Sequence, residues 1–252
     1  MKVCQVKNIR IGEGKPKICV PLVSYTLLEI IEEIKVIKKY PVDIIEWRMD
    51  MYQDIKDITK TTSALQQIRE LLADIPLLCT FRTVYEGGKT TLSISEYMKL
   101  NSLIITSGNT DIIDIELSQA QDTIAFYISL AKENNVKVLL SNHDFEKTPT
   151  KKEIIHRLLS MQNLGCDIAK IAVMPSNKKD VLTLLDATAT MEEHATIPIV
   201  TMSMHDIGRI SRFTGELFGS SMTFASVKNA SAPGQIDITE LDQLLSLVHK
   251  DS

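Results

Sequence analysis

Short apolar runs recur eight times along the chain: KICVPLV (17–23), DIIEWRM (43–49), PLLCTFR (76–82), DIIDIEL (111–117), KVLLSNH (137–143), IAKIAVM (168–174), PIVTMSM (198–204) and MTFASV (222–227). They begin 24 to 35 residues apart. Most are separated by stretches with helical periodicity, namely LLEIIEEIKVIKKY, SALQQIRELLAD, TIAFYISLAKENN, KEIIHRLLSMQNLG and KDVLTLLDATATMEEH. Strand and helix therefore alternate, and this predicts a parallel sheet, because each helix supplies the crossover that parallel strands require. Eight units suffice to close a (β/α)8 barrel, a TIM barrel; a doubly wound open sheet is the other arrangement such alternation permits. Thr148 followed by Pro149 suits a helix start, and Gly165 after MQNL suits a helix end that needs a left-handed residue. Ahead of the first run, VCQVKNIRI and the Gly12-Glu13-Gly14 turn predict an added N-terminal β-hairpin. GEG followed by Lys-Pro lacks the strand-turn-helix context of a dinucleotide fingerprint.

A chain of 252 residues fits one barrel, and no linker or low-complexity tract divides it, so residues 1–252 are expected to form one catalytic domain. With 44% hydrophobic and 24% charged residues it can bury a large core. The net charge is -4 and no long basic block occurs, so there is no electrostatic footprint for nucleic acid or an anionic membrane surface. Cys4, Cys19, Cys79 and Cys166 are far apart and form no CxxC pair, which indicates neither a zinc site nor a disulfide framework. The N-terminus lacks the apolar stretch of about 7 to 15 residues of a signal peptide, and no run reaches the roughly 18 apolar residues of a membrane span. The cytoplasm is the default location.

The second run carries a contradiction. In VDIIEWRMD, charges stand at every second position: Glu46, Arg48 and Asp50. A strand sends alternate side chains to opposite faces, so Ile45, Trp47 and Met49 share one face and the three charges the other. A strand with one wet face would explain this in an antiparallel sheet. In a barrel, the charges must instead point to the axis or into the mouth at the C-terminal ends of the strands. The same parity groups Leu78, Thr80 and Arg82; Ile112, Asp114 and Glu116; Leu139, Ser141 and His143; and Ile168, Lys170, Ala172 and Met174. Taken singly, each ionisable residue has an ordinary structural explanation, a satisfied ion pair or a snorkelling lysine. Gathered near the C-terminal ends of five successive strands, they point to an active site.

Lys170, in DIAKIAVMP, has Ile168 and Ala172 as same-face neighbours, a setting that disfavours the ammonium and leaves a nucleophilic amine. Nearby cations such as Arg48 or Arg82 would lower its pKa further. An ion pair with Glu46 or Glu116 would do the opposite and keep it inert. His143 ends the neighbouring strand, and adjacent strands lie about 4.8 Å apart, so its imidazole can shuttle protons during imine formation and elimination. Alone, it is equally a satisfied structural histidine. Glu86, in YEGGK, can orient that ring or be a solvated loop carboxylate. Arg212, in ISRFTGE, suits a substrate carboxylate. The loop NASAPGQID suits a lid that brings Ser231 and Gln235 to hydroxyl groups. A surface arginine and a plain connection are the ordinary readings of those two segments.

Together these residues resemble the type I 3-dehydroquinate dehydratases over essentially the whole chain. The matching stretches are EWR (46–48), FR with EGG (81–88), DIELS followed by LLSNHDF, KIAVMP, TMSM, ISRFTGE and SAPGQ. The resemblance implies a (β/α)8 barrel, a homodimer, no metal or organic cofactor, and dehydration of 3-dehydroquinate by syn elimination. By the same resemblance Lys170 forms the Schiff base, His143 is general acid and base, and Glu86 supports His143. Glu46, Arg48 and Arg82 hold substrate hydroxyls and shape the electrostatics, Arg212 binds the carboxylate, and Ser231 and Gln235 close over the ligand. Two positions depart from the family pattern: Pro21, where some relatives have a serine, and His205-Asp206 after MSM. Rival readings are a class I aldolase using the same lysine, a metal enzyme using Asp114, Glu116 and His143 as ligands, and a binding barrel without turnover.

Overall fold

The computed structural model describes residues 2–227 and 232–249. It opens with an antiparallel hairpin of β1 (Cys4–Val6) and β2 (Ile9–Ile11). Eight parallel strands follow: β3 (Lys17–Leu22), β4 (Ile44–Arg48), β5 (Leu77–Thr80), β6 (Ile112–Glu116), β7 (Lys137–Asp144), β8 (Ile168–Val173), β9 (Ile199–Ser203) and β10 (Met222–Ser226). From β3 to β9 each strand pairs with the next, and β10 pairs with β3. The remaining seam joins β9 to the start of β10, where Ile199 bridges Ser220 in parallel and the Ser221 N–H donates to the Ile199 carbonyl at 2.8 Å. The sheet is thereby curled into a (β/α)8 barrel. A short β11 (Ile236–Asp237) adds to the top of β10.

The crossovers are α1 (Leu27–Ile37), α2 (Ile58–Leu72), α3 (Ile94–Thr106), α4 (Gln121–Glu133), α5 (Lys151–Leu164) and α6 (Lys178–His194), then the short α7 (Ile210–Phe213) and α8 (Gly215–Phe218), and α9 (Ile238–Val248). Their starts follow local chemistry. Thr26, Ser93 and Thr150 each accept from the N3 backbone N–H while the N3 glutamate returns the bond, so α1, α3 and α5 begin with capping boxes. Thr150 therefore starts α5, two residues beyond the Thr148 suggested by the following proline. Asp57 caps α2 and draws its start ahead of the apolar periodicity. Gly165 ends α5 with φ +94, in the left-handed region.

The parity read from EWR holds. Ile45, Trp47 and Met49 are buried in the layer between strands and helices, whereas Ile44 joins an inner cluster with Cys19, Leu78, Ile112, Leu139 and Ile168. Each apolar side chain so buried contributes about 1.5–3 kcal/mol. A one-residue slip of β4 would turn Glu46 and Arg48 into the helix layer, so this register is strongly specified. Cys4, Cys19, Cys79 and Cys166 are buried free thiols.

The barrel floor is apolar. Cys4, Val6 and Ile11 of the hairpin pack with the first inward residues of the strands. Hairpin contacts reach several strand starts: Lys7 lies 3.6 Å from Asp111, before β6, and its Nζ donates to the Ala73 carbonyl. Aspartates before alternate strands tie the floor together. Asp43 accepts the Ile18 N–H, Asp111 the Leu77 N–H and Asp167 the Val138 N–H, each at 2.8–2.9 Å. With the floor fixed in this way, the chemistry is confined to the opposite end. Among the described residues, no helix is long and apolar enough to cross a membrane.

Candidate active site

Above the apolar floor, the inward residues become charged. They line a cavity that opens to solvent at the C-terminal ends of the strands, with about 530 Å3 of empty space including its mouth. Glu46, Arg48, Arg82, Glu86, His143 and Lys170 form one wall; Ala172, Met202, Met204 and Phe224 form the other, and Arg212, Ala232 and Gln235 complete the rim. Of the candidates read from the sequence, Glu46, Arg48, Arg82, Glu86, His143, Lys170, Arg212 and Gln235 face this one space, Asp50, Asp114 and Glu116 do not line it, and Ser231 lies outside the described residues.

Lys170 is placed by the β7–β8 register opposite Ser141, and its side chain is 4% exposed. Burial lowers its pKa and Arg82 adds to the effect, while Glu46 and Asp114 oppose it. The ion pair that would disarm it is not formed, because the carboxylates are engaged elsewhere. Glu46 accepts from the Thr80 hydroxyl at 2.8 Å, and Glu116 accepts from Arg82 Nη1 at 3.0 Å and from the Thr83 hydroxyl at 2.7 Å. Nζ instead sits over the Phe224 ring, 4.3 Å from its centroid.

His143 stands two residues above Ser141 on β7, with its side chain 10% exposed. Its Nδ1 lies 2.9 Å from Glu86 Oε2, which also accepts the His143 backbone N–H at 2.9 Å. A carboxylate at Nδ1 favours the tautomer with the proton there, leaving Nε2 as the proton acceptor. Burial and the cations Arg82, Lys170 and Arg48 hold the imidazole pKa well below its ordinary value, so the ring is neutral. The Glu86 carboxyl is pushed up to about 7 by burial and by Glu116, against the pull of Arg82. Phe145 stacks on His143 with ring centroids 6.5 Å apart and planes 22° from parallel.

The EGG turn that carries Glu86 has to be glycine at two places. Gly87 has φ +87, and a Cβ there would lie 2.6 Å from the Phe145 ring; one on Gly88 would fall 1.9 Å from the Arg82 carbonyl oxygen. The turn is held to β4 through Asp50, just beyond the strand in the turn Met49–Met51. Asp50 grips Arg48 with both oxygens, at 2.8 and 2.9 Å, and accepts the Lys89 N–H at 3.1 Å. Charge alternation points to Asp50, but its partner is not legible in a linear pattern.

Arg82 is fixed by three groups: Nη1 donates to Glu116 and to the Ser141 hydroxyl at 3.0 and 2.9 Å, and Nη2 donates to Asp114 at 2.7 Å. Burial works against its charge, but Asp114, Glu116 and Glu86 more than offset this and keep it protonated. Asp114 and Glu116 are thus both committed to Arg82, and among the described residues no group of three His, Cys, Asp or Glu side chains is arranged to hold a metal ion. Arg212 differs in having no carboxylate within ion-pair distance among the described residues. It is buried, its Nη2 donates to the Pro233 carbonyl at 3.0 Å, and its Nε has no partner among the described residues. Burial, with Arg209, lowers its pKa to about 10, which leaves it cationic at neutral pH. The site thus combines a desolvated amine, a neutral base beside it and an unneutralised guanidinium at the rim.

The family model described as type I 3-dehydroquinase matches residues 18–252. The chain belongs to the type I 3-dehydroquinase family. Among its relatives in this family, the 3-dehydroquinate dehydratase of Listeria monocytogenes is 50% identical over 245 residues, 97% of each chain. That of Clostridioides difficile is 50% identical over 247 residues, covering 98% of this chain and 97% of the relative. The crystal structure of the type I 3-dehydroquinate dehydratase from Clostridium difficile with covalently modified comenic acid superposes with a TM-score of 0.96 at 49% identity, covering 98% of both chains. Pro21 pairs in register with Glu46 in the β3–β4 ladder, and His205, with φ +62, donates its backbone N–H to Pro233.

Proposed function

We propose that this chain dehydrates 3-dehydroquinate to 3-dehydroshikimate for aromatic amino acid (chorismate) biosynthesis, acting as a cytoplasmic homodimer without a cofactor. The reaction proceeds through an imine on Lys170, with His143 as general acid and base. The observation that carries this reading is the buried Lys170 amine, free of any carboxylate contact among the described residues, beside a neutral His143 held by Glu86. Family membership supplies the substrate.

The amine attacks the ketone carbon; with uptake of one proton, a C=N bond forms and water leaves. A protonated imine is a far stronger electron sink than a ketone, so His143 Nε2 can remove the adjacent proton and the electron pair becomes the C=C bond of an enamine. The enamine then expels the β-hydroxyl, which takes the proton back from the imidazolium and leaves as water. Because one imidazole serves both transfers, proton and hydroxyl depart from the same face, a syn elimination. Hydrolysis of the conjugated iminium releases the product and restores Lys170. Glu86 holds the ring, Arg48, Arg82 and Glu46 surround the hydroxyls, and Arg212 takes the carboxylate, with Ser231 and Gln235 closing over it.

The test is borohydride reduction of the protein with 3-dehydroquinate, followed by peptide mass spectrometry. An adduct on the Lys170 peptide is expected; turnover without an adduct would show that the lysine acts only electrostatically. An aldolase would share the adduct but cleave a C–C bond, and a metal enzyme would lose activity on exhaustive chelation. Arg212→Ala is expected to raise KM by roughly 10- to 100-fold, the worth of one charge-assisted contact. Unchanged substrate affinity by calorimetry would remove Arg212 from the carboxylate.

A further inference from the structure

Lys170 Nζ lies over the face of the Phe224 ring, 4.3 Å from its centroid. Each of the two residues is only 4% exposed, so the contact is made out of water, where an aromatic face attracts a cation most strongly. Among the described residues no carboxylate is within ion-pair distance of this nitrogen. Glu46 is bonded to Thr80, and Asp114 and Glu116 are bonded to Arg82. A carboxylate in contact would hold the side chain as an ammonium and block attack on a carbonyl. A ring face is a weaker attractor: it lets the amine be neutral, yet still favours positive charge once that charge forms.

We propose that Phe224 is a catalytic residue, its ring face acting as the counter-charge for the iminium nitrogen on Lys170. This rests on the imine reading given above. The charge arises in a balanced step: neutral amine, ketone and one proton give iminium and water, and the C–N double bond places the positive charge on the atom that the ring already faces. The charge disappears in the enamine and returns in the product iminium, so the ring supports the states before and after proton removal. Its position is set by the fold. Phe224 is an inward residue of β10, and its Cα pairs with Cys19 of β3. Apolar character at this position is legible in MTFASV; the alignment with a nitrogen from β8, two strands away, is not.

The test replaces Phe224 in turn by mono-, di- and trifluorinated phenylalanine, which keep the shape of the ring while draining negative potential from its face, and by cyclohexylalanine, which has no such face. With 3-dehydroquinate at alkaline pH, the fraction of protein trapped by borohydride on Lys170 and kcat/KM are both expected to fall stepwise with fluorine number. The fall should reach about tenfold at three fluorines and be largest for cyclohexylalanine, with the melting temperature unchanged. A flat series, with Lys170 still trapped in the unsubstituted protein, would reduce Phe224 to a wall of the cavity and leave the imine in place. Absence of any trapped adduct in the unsubstituted protein would overturn both the imine and the role of the ring.

Discussion

Lys170→Ala is expected to abolish turnover of 3-dehydroquinate while leaving the barrel folded. The side chain sits in the interior of β8 with Ala172 above it and Ile168 below, and truncating it removes a poorly solvated amine rather than a packing element. No other lysine lines the cavity among the described residues, so no second amine stands ready to replace it. The measurement is the rate of appearance of the conjugated enone by absorbance, with an unfolding curve to establish that structure persists. A near-normal rate in a folded variant would rule out the imine route.

His143→Ala is expected to separate the two halves of the reaction. The imine should still be trappable on Lys170, because the amine and its burial are untouched, but elimination should slow by at least ~10²-fold, the low end for lost acid-base catalysis. Single-turnover kinetics isolates that step from binding and product release. A smaller effect would hand the proton to another group and remove His143 from the centre of the mechanism. The arrangement around the ring argues for the large effect: Glu86 fixes Nδ1, Phe145 covers one face, and neighbouring cations keep the imidazole neutral and able to accept a proton.

Strand parity made much of this readable before any coordinates. A period of two is strict, so Glu46, Arg48, Arg82, His143 and Lys170 could be assigned to one interior once eight parallel strands were inferred. Partnerships across the barrel were a different matter. That Arg82 would be bound by Asp114, Glu116 and Ser141 depends on stagger between strands, which a linear pattern does not encode. Asp50 was visible as a charge but not as the clasp between Arg48 and the glycine turn, since its contacts lie about 40 residues away in the chain. Phe145 and Phe224 are not legible as site residues, because an aromatic residue in an apolar strand or a loop carries no mark of what it faces. Helix starts were legible only to within a few residues, because Thr150 and Asp57 compete with nearby residues that fit the same role.

The barrel is a cup rather than a pipe, because inward side chains such as Ile44, Leu78, Ile112, Leu139 and Ile168 fill its interior and the hairpin of β1 and β2 packs beneath them. Its apolar residues stopper one end, so whatever reaches Lys170 enters and leaves over the same rim. Traffic in such a vessel is single file: the dehydrated product occupies the doorway that the next substrate needs, and the two must compete for one position. A closed floor, far from the reacting atoms, thus leaves one opening for both arrival and departure.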